Sequence, residues 1–308
     1  MTEHIFKRFT PLKKNIFNLV INEMLRVGWK QLNEGKTTSN DVYVMYSNGN
    51  DGKKNIYIEL IPYDGRNMED SPQKLDFDVR STLYSDAFFK FCYGYDKEKE
   101  KGRGTTPDQS WPTSWFRGRN YSDGVTSNGP KIAIDTEIEF YLFVDKEKII
   151  TCTIPPASTR LAPAVTYIGV LGQLMLEEKH EPYTRALVWY ASAWSGNYST
   201  ANTGLTFNRP KGSNETNISQ SYRSNWLQIP TGLNPNIDNT FLLSPFYILS
   251  DSYGVRGKLE EIYRTSDTGI VSGDILEIEV NGKIQKYKYV YASGSYGSLP
   301  APLAFRIE

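Results

Sequence analysis

Histidine and cysteine are nearly absent from this chain, with two of each among 308 residues. His4 lies in the polar first ten residues, which leaves His180, in Glu177-Glu178-Lys179-His180-Glu181, as the imidazole placed to act. A zinc site needs three or four donors converging from more than one element, and a Ser–His–Asp or Cys–His system needs a nucleophile motif. Neither accompanies His180, and the segment reads more simply as a polar turn. Cys92 and Cys152 fall in separate strand-like stretches, Phe88–Tyr93 and Lys148–Ile154, and read as small buried hydrophobes rather than as a disulfide.

Charge of one sign is missing too. Lysine plus arginine and aspartate plus glutamate both count 35, so the formal net charge is zero. Duplex-tracking proteins gain affinity by neutralising phosphates with excess cations, so sequence-specific nucleic acid is not an expected partner. No run approaches the roughly 20 apolar residues that a bilayer span needs, and residues 1–10 contain no signal-peptide core. No membrane partner is expected, and folding in a cytoplasm is. The Asn-x-Ser/Thr sequons at Asn120, Asn197, Asn214 and Asn217 then mark only polar backbone. Gly102-Arg103-Gly104 follows a charged run instead of a hydrophobic strand, so it lacks the context of a phosphate cradle. Neither a cofactor nor a metal is expected.

What the chain does carry is aromatic side chains: 21 tyrosines, 14 phenylalanines and 6 tryptophans against 5 methionines. Tyrosine joins apolar area to a polar tip and suits surfaces that are wet in one state and covered in another. The pattern fits an interface-forming protein, a sugar binder or an ordinary β-rich domain.

Periodicity predicts a helix followed by a hairpin at the start. Thr10-Pro11 reads as an N-cap with proline at the first helical position. Ile16, Phe17, Leu19, Val20, Ile21, Met24, Leu25 and Val27 recur at helical spacing, and Gly28 offers a stop. Strands are expected at Asp41–Tyr46 and Asn55–Ile61 around the turn Ser47-Asn48-Gly49-Asn50-Asp51-Gly52. Leu75–Thr82 alternates as a half-buried strand. Asp96–Lys101 is a solvated tip. Ile138–Val144 and Ile149–Ile154 form a second hairpin across Asp145-Lys146-Glu147-Lys148, ended by Pro155-Pro156. Thr166–Glu178 reads as a short helix interrupted by Gly169 and Gly172, and Ala186–Ala193 as a strand.

The last third is β. Phe241–Leu249 and Val255–Arg264 flank Ser250–Gly254, and Asn281-Gly282 is a strong two-residue hairpin signal. That loop pairs Val280 with Lys283, Ile278 with Gln285 and Leu276 with Tyr287, and sets Glu277 across from Lys286. Leu303–Ile307 adds a closing strand. The expected class is α+β: an N-terminal helix packed on antiparallel hairpins, then a β-rich C-terminal region. Two parts are expected, 1–155 with a long loop at 96–130 and 156–308 with a long loop at 195–224, or one continuous domain.

Paired acids are the enzymatic option. Asp76/Asp78 and Glu137/Glu139, spaced by two, share a strand face and suit a divalent cation or a glycosidase acid–base pair. Leu75, Phe77, Ile138 and Phe140 claim the opposite faces, so the plainer reading turns these acids to water. The long loops carry Trp111, Trp115, Phe116, Arg117, Arg119, Tyr121, Trp194, Tyr198 and Tyr222. Aromatic and arginine residues are enriched at interface cores, so these nine are interface candidates. A sugar-stacking platform is the other use for the tryptophans.

The helix, its Gly28-Trp29 end, and the hairpin turning on Ser47–Gly52 before Asn55-Ile56-Tyr57-Ile58-Glu59-Leu60 resemble tailed-bacteriophage virion proteins of the neck and tail-completion type. Val255-Arg256-Gly257-Lys258-Leu259 and Ser272-Gly273-Asp274-Ile275-Leu276 also resemble segments of phage structural proteins. The resemblance covers about half of the chain, and the two long loops depart from compact tail terminators. It implies a non-enzymatic virion subunit, assembled in the host cytoplasm, that forms a cyclic homo-oligomer and docks on neighbouring neck or tail proteins. A ring needs a heterologous contact, one patch meeting a different patch on the next copy. A carbohydrate-binding baseplate or receptor-recognition protein is the alternative.

Overall fold

A computed structural model describes residues 5–33, 42–63, 86–92, 94–103, 112–113, 135–157, 163–172, 184–191, 201–207, 243–250, 254–265, 270–292 and 301–308. These residues form a β-rich protein of four antiparallel sheets with a single short α-helix near the N-terminus. In chain order the first strands are β1 (Lys7–Phe9), β2 (Lys30–Gln31), β3 (Tyr43–Ser47), β4 (Ile56–Tyr63), β5 (Asp86–Cys92), β6 (Gly94–Asp96), β7 (Lys101–Arg103) and β8 (Pro112–Thr113). There follow β9 (Glu139–Val144), β10 (Lys148–Ile154), β11 (Ala164–Val170), β12 (Thr184–Ala191) and β13 (Ala201–Phe207). The last are β14 (Ser244–Ser250), β15 (Gly254–Arg264), β16 (Ile275–Val280), β17 (Lys283–Ala292) and β18 (Ala301–Arg306). Helix α1 spans Ile16–Arg26.

The central sheet runs β1-β9-β10-β11-β12-β13, drawing strands from both sides of residue 155. Strands β9, β10 and β11 are buried on both faces, which is why Phe140–Phe143 and Ile149–Ile150 read as unbroken apolar runs. Phe140, Leu142, Ile149 and Ile168 share a core with Ile16, Val20 and Met24 of α1 and with Met45, Ile58 and Phe91 of the sheet β2-β3-β4-β5-β8. Tyr141, Phe143, Ile150, Cys152, Val165 and Tyr167 lie on the other face, packed with Leu259, Ile262, Val290, Leu303 and Phe305 of the sheet β14-β15-β18-β17-β16. Alternation along each strand therefore sorts the side chains into two cores. β6 and β7 pair as a small hairpin whose tip holds Lys97–Glu100.

Helix α1 starts later than its sequence signal. Residues 11 and 12 run extended: Leu12 bridges Glu137, and the Pro11 carbonyl accepts from Ile138 N–H at 2.9 Å. A 3-10 turn at Lys13–Asn15 then leads into the helix at Ile16. Thr10 is thus not the cap, because sheet pairing captures the backbone that capping would have used. The stop is as expected. Gly28 has φ +102°, its N–H bonds Leu25, and Trp29 N–H bonds Met24, the paired bonds of a Schellman ending.

The first hairpin, the 139–154 hairpin and the closing strand form as expected, and Val280↔Lys283, Ile278↔Gln285, Leu276↔Tyr287 and Glu277↔Lys286 are the register observed. Two readings are corrected. Residues 166–170 belong to strand β11, and 171–172 are not helical either. A β-branched and aromatic run buried on both faces has no periodicity to separate strand from helix. Within 195–224, residues Ala201–Phe207 form β13, held by its ladder to β12, a bond pattern that needs no apolar composition. Likewise the loop 96–130 contributes β7 and β8. Leu75–Thr82 lies outside the described residues.

Candidate functional site

The turn Asp145–Lys148 between β9 and β10 gathers more of the molecule than any chemistry-bearing motif predicted it would. Trp29, buried behind the helix stop, donates from Nε1 to the Asp145 carbonyl at 2.7 Å. Ser47 donates from Oγ to the Lys146 carbonyl and accepts from Gly49 N–H at 3.1 Å. Glu147 Oε1 accepts from Asn50 N–H at 2.9 Å and from Lys54 Nζ at 2.6 Å. The two motifs that make the N-terminal unit recognisable, Gly28-Trp29 and Ser47–Gly52, are therefore both fastened to one turn. The turn is itself rigid, because Asp145 Oδ1 accepts from Glu147 N–H at 2.7 Å and from Lys148 N–H at 2.9 Å.

Lys148 carries the turn's other face. Its side chain is 3% exposed, with Nζ 3.3 Å from Asp145 Oδ2 and bonded to Glu260 Oε2. Burial alone would lower its pKa, but the charges of Asp145 and Glu260 and the Glu260 hydrogen bond outweigh it and raise it. Lys148 is thus held as an ammonium, unsuited to nucleophilic or base chemistry near neutral pH.

Two backbone irregularities bring these groups together. Opposite Lys148 stands Gly169, at φ +148°, where a Cβ would sit 2.4 Å from the Glu147 carbonyl oxygen and 2.5 Å from Lys148 Cα. On β15 the register to β14 passes from Pro245↔Tyr263 to Phe246↔Leu259, so Glu260, Glu261 and Ile262 bulge out. Glu261 takes φ +64° within that bulge. Bulges of this kind re-aim side chains, and here the bulge presents Glu260 to Lys148 while Ile262 enters the core. Close by, Tyr167 donates to the Val170 carbonyl, and complete burial holds its phenol well above the usual range.

A second polar cluster lies between the central and C-terminal sheets. Glu139 Oε1 accepts from Tyr141 OH at 2.6 Å and sits 3.3 Å from Arg8 Nε and 3.8 Å from Lys288 Nζ. Glu139 is thus part-buried and engaged by protein partners, whereas Glu137 is exposed, so of the expected water-facing pair only Glu137 stands fully in solvent. Burial, then the Glu139 hydrogen bond, push the Tyr141 phenol up, and burial pushes the Cys152 thiol up. Cys92 and Cys152 are buried and not disulfide-bonded, as expected for small hydrophobes.

These arrangements are fasteners: protonated cations against carboxylates and neutral phenols, with Lys148, Asp145 and Glu139 each tied by partners in the protein. Among the described residues no group of three or more His, Cys, Asp or Glu is placed to hold a metal. The nine interface candidates, Trp111, Trp115, Phe116, Arg117, Arg119, Tyr121, Trp194, Tyr198 and Tyr222, lie outside the described residues, as do Asp76, Asp78 and His180. In sequence, Asp145–Lys148 is only the connection of a hairpin. Its one local signal was the Asp-x-Glu-Lys composition, which is common to many turns. No protein-family model matches the chain, and no curated protein matches it at a significant level.

Proposed function

We propose that this chain is a structural subunit of a tailed-phage particle, placed in the neck or tail as a tail-terminator or tail-completion component. It acts by ring-forming self-association and by docking to adjacent virion proteins, without catalysis. One observation carries the reading. The helix-and-hairpin unit that resembles neck and tail-completion proteins is locked at both of its signature motifs to a single turn of the central sheet. An N-terminal helix packed on antiparallel hairpins and fixed in this way is a rigid wedge. Subunits in a closed ring must hold a constant angle between two different patches, so a rigid wedge suits that task. The long aromatic segments at 96–130 and 195–224 supply the reach to a neighbour.

The test is the solution mass of the full chain by light scattering and native mass spectrometry, repeated after deletion of 114–130, which spares β7 and β8. A closed oligomer, reduced to smaller species by the deletion with the β-rich circular dichroism retained, is the expected result. A monomer at every concentration that is also absent from particles assembled with its neighbouring virion proteins refutes it.

A further inference from the structure

The C-terminal sheet ends in an acidic open edge. Among the described residues β16 is its terminal strand and pairs with β17 alone. A two-residue hairpin closes on a hydrogen-bonded pair, here Val280 with Lys283, and such pairs recur at every second residue. Ile278 and Leu276 follow in that series, and Tyr289 N–H bonds the Asp274 carbonyl at 2.9 Å in the same phase. The N–H and C=O groups of Ile275, Glu277 and Glu279 therefore point away from the sheet. The side chains of those three residues are exposed as well, with Ile275 at 51%, and Ile284 beside Glu279 is 65% exposed. The opposite face is not available, since Leu276 and Tyr287 pack there with Tyr289.

We propose that this edge binds an extended protein segment by strand addition, and that the segment carries lysine or arginine at alternate positions with apolar residues interspersed. Charge decides the occupant. Residues directly opposite in a ladder share a face, so a symmetric second β16 sets glutamate against glutamate, which is destabilising. The strand that does pair with β16 sets Lys286 opposite Glu277 and Lys288 opposite Ile275. Lys286 is itself taken by Glu308 at 2.7 Å, so the acids of β16 keep an outward preference for cations. Main-chain bonds supply affinity in strand addition, and the alternate side chains supply specificity. The inference rests on the geometry of this edge and stands apart from the assembly reading.

The probe is a fluorescein-labelled, end-blocked synthetic peptide with the sequence of Lys283–Tyr289, titrated against the full chain by fluorescence anisotropy. A matched peptide has Lys283, Lys286 and Lys288 replaced by glutamate. Saturable binding of the lysine peptide alone is expected, weakening as salt rises from about 50 mM to about 0.3 M. Glu277→Lys with Glu279→Lys is expected to weaken it by about tenfold or more. Glu277→Pro removes only an outward N–H, which an edge strand tolerates, and is expected to abolish binding while the far-ultraviolet spectrum is retained. If charge reversal impairs folding, Glu277→Gln with Glu279→Gln serves with an expected smaller loss. No saturable binding, equal binding of both peptides, or undiminished binding to the folded proline variant would each overturn the proposal. Because the readout is peptide affinity and not subunit mass, its failure is separable from failure of the ring.

Discussion

Replacing Lys148 by methionine tests whether the 145–148 turn is the fastener described. Methionine keeps most of the side chain's volume and removes the charge, so packing is retained while Glu260 loses its cation. Removing one partner of a buried pair typically costs about 3–5 kcal/mol, because the other charge is left without compensation. Glu260 is 33% exposed, and water reaches it in part, which places the expected loss near the low end, about 3 kcal/mol. At roughly 2 °C per kcal/mol for a chain of this size, Tm should fall by about 6 °C in a calorimetric scan. Lys148→Met with Glu260→Gln removes both charges of that pair, while the Asp145 carboxylate loses its cation but keeps its bonds from the Glu147 and Lys148 N–H groups, so the double variant should recover most of the single-variant loss. The cycle must therefore be strongly non-additive. A single-variant loss under about 1 kcal/mol, or additive losses, would show that the pair does not hold the turn to β15.

Gly169→Ala should cost at least about 3 kcal/mol, combining positive-φ strain with a backbone clash at 2.4 Å, and should show as loss of soluble protein or a large fall in denaturation midpoint. Thr151, Thr153 and Thr166 bury hydroxyls with no hydrogen-bond partner, on the face of the central sheet that meets α1. Thr151→Val and Thr166→Val should therefore leave stability unchanged or raise it by up to about 1 kcal/mol in urea titrations, whereas a loss above about 1 kcal/mol would mean the hydroxyls are bonded. Lys148, Tyr141, Tyr167 and Cys152 all have raised pKa values in the folded chain. The folded form then keeps protons that the unfolded chain releases from about pH 8.5 for cysteine and about pH 10 for tyrosine and lysine. Stability from these groups is complete below that range and lost as pH rises, so Tm should hold from pH ~7 to ~8 and decline increasingly above pH ~9. A Tm that rises over that interval would contradict the assignment.

Legibility followed the range of the interactions. The Asn281-Gly282 hairpin was read residue for residue, because a two-residue turn at φ +53° and +75° fixes its own register. The helix end at Gly28 was read for the same local reason. The helix start was misplaced because Pro11 and Leu12 pair with Glu137 and Ile138, more than a hundred residues away. β11 was read as helix because burial on both faces erases the alternation that marks a strand, and β13 as loop because its ladder is made by backbone alone.

By itself, then, the sequence determined the hairpins, the helix stop, the short helix amid strands and the burial of both cysteines, all consequences of neighbours within a few residues or of side-chain polarity. Tertiary structure alone decided that Trp29, Ser47, Lys54, Gly169 and Glu260 meet at Asp145–Lys148, and that Glu139 is engaged by Tyr141, Arg8 and Lys288. The physical reason is that sheet order brings distant strands side by side, and a bulge at Glu260–Ile262 turns one carboxylate toward a lysine over a hundred residues earlier. No local preference in either segment encodes that contact.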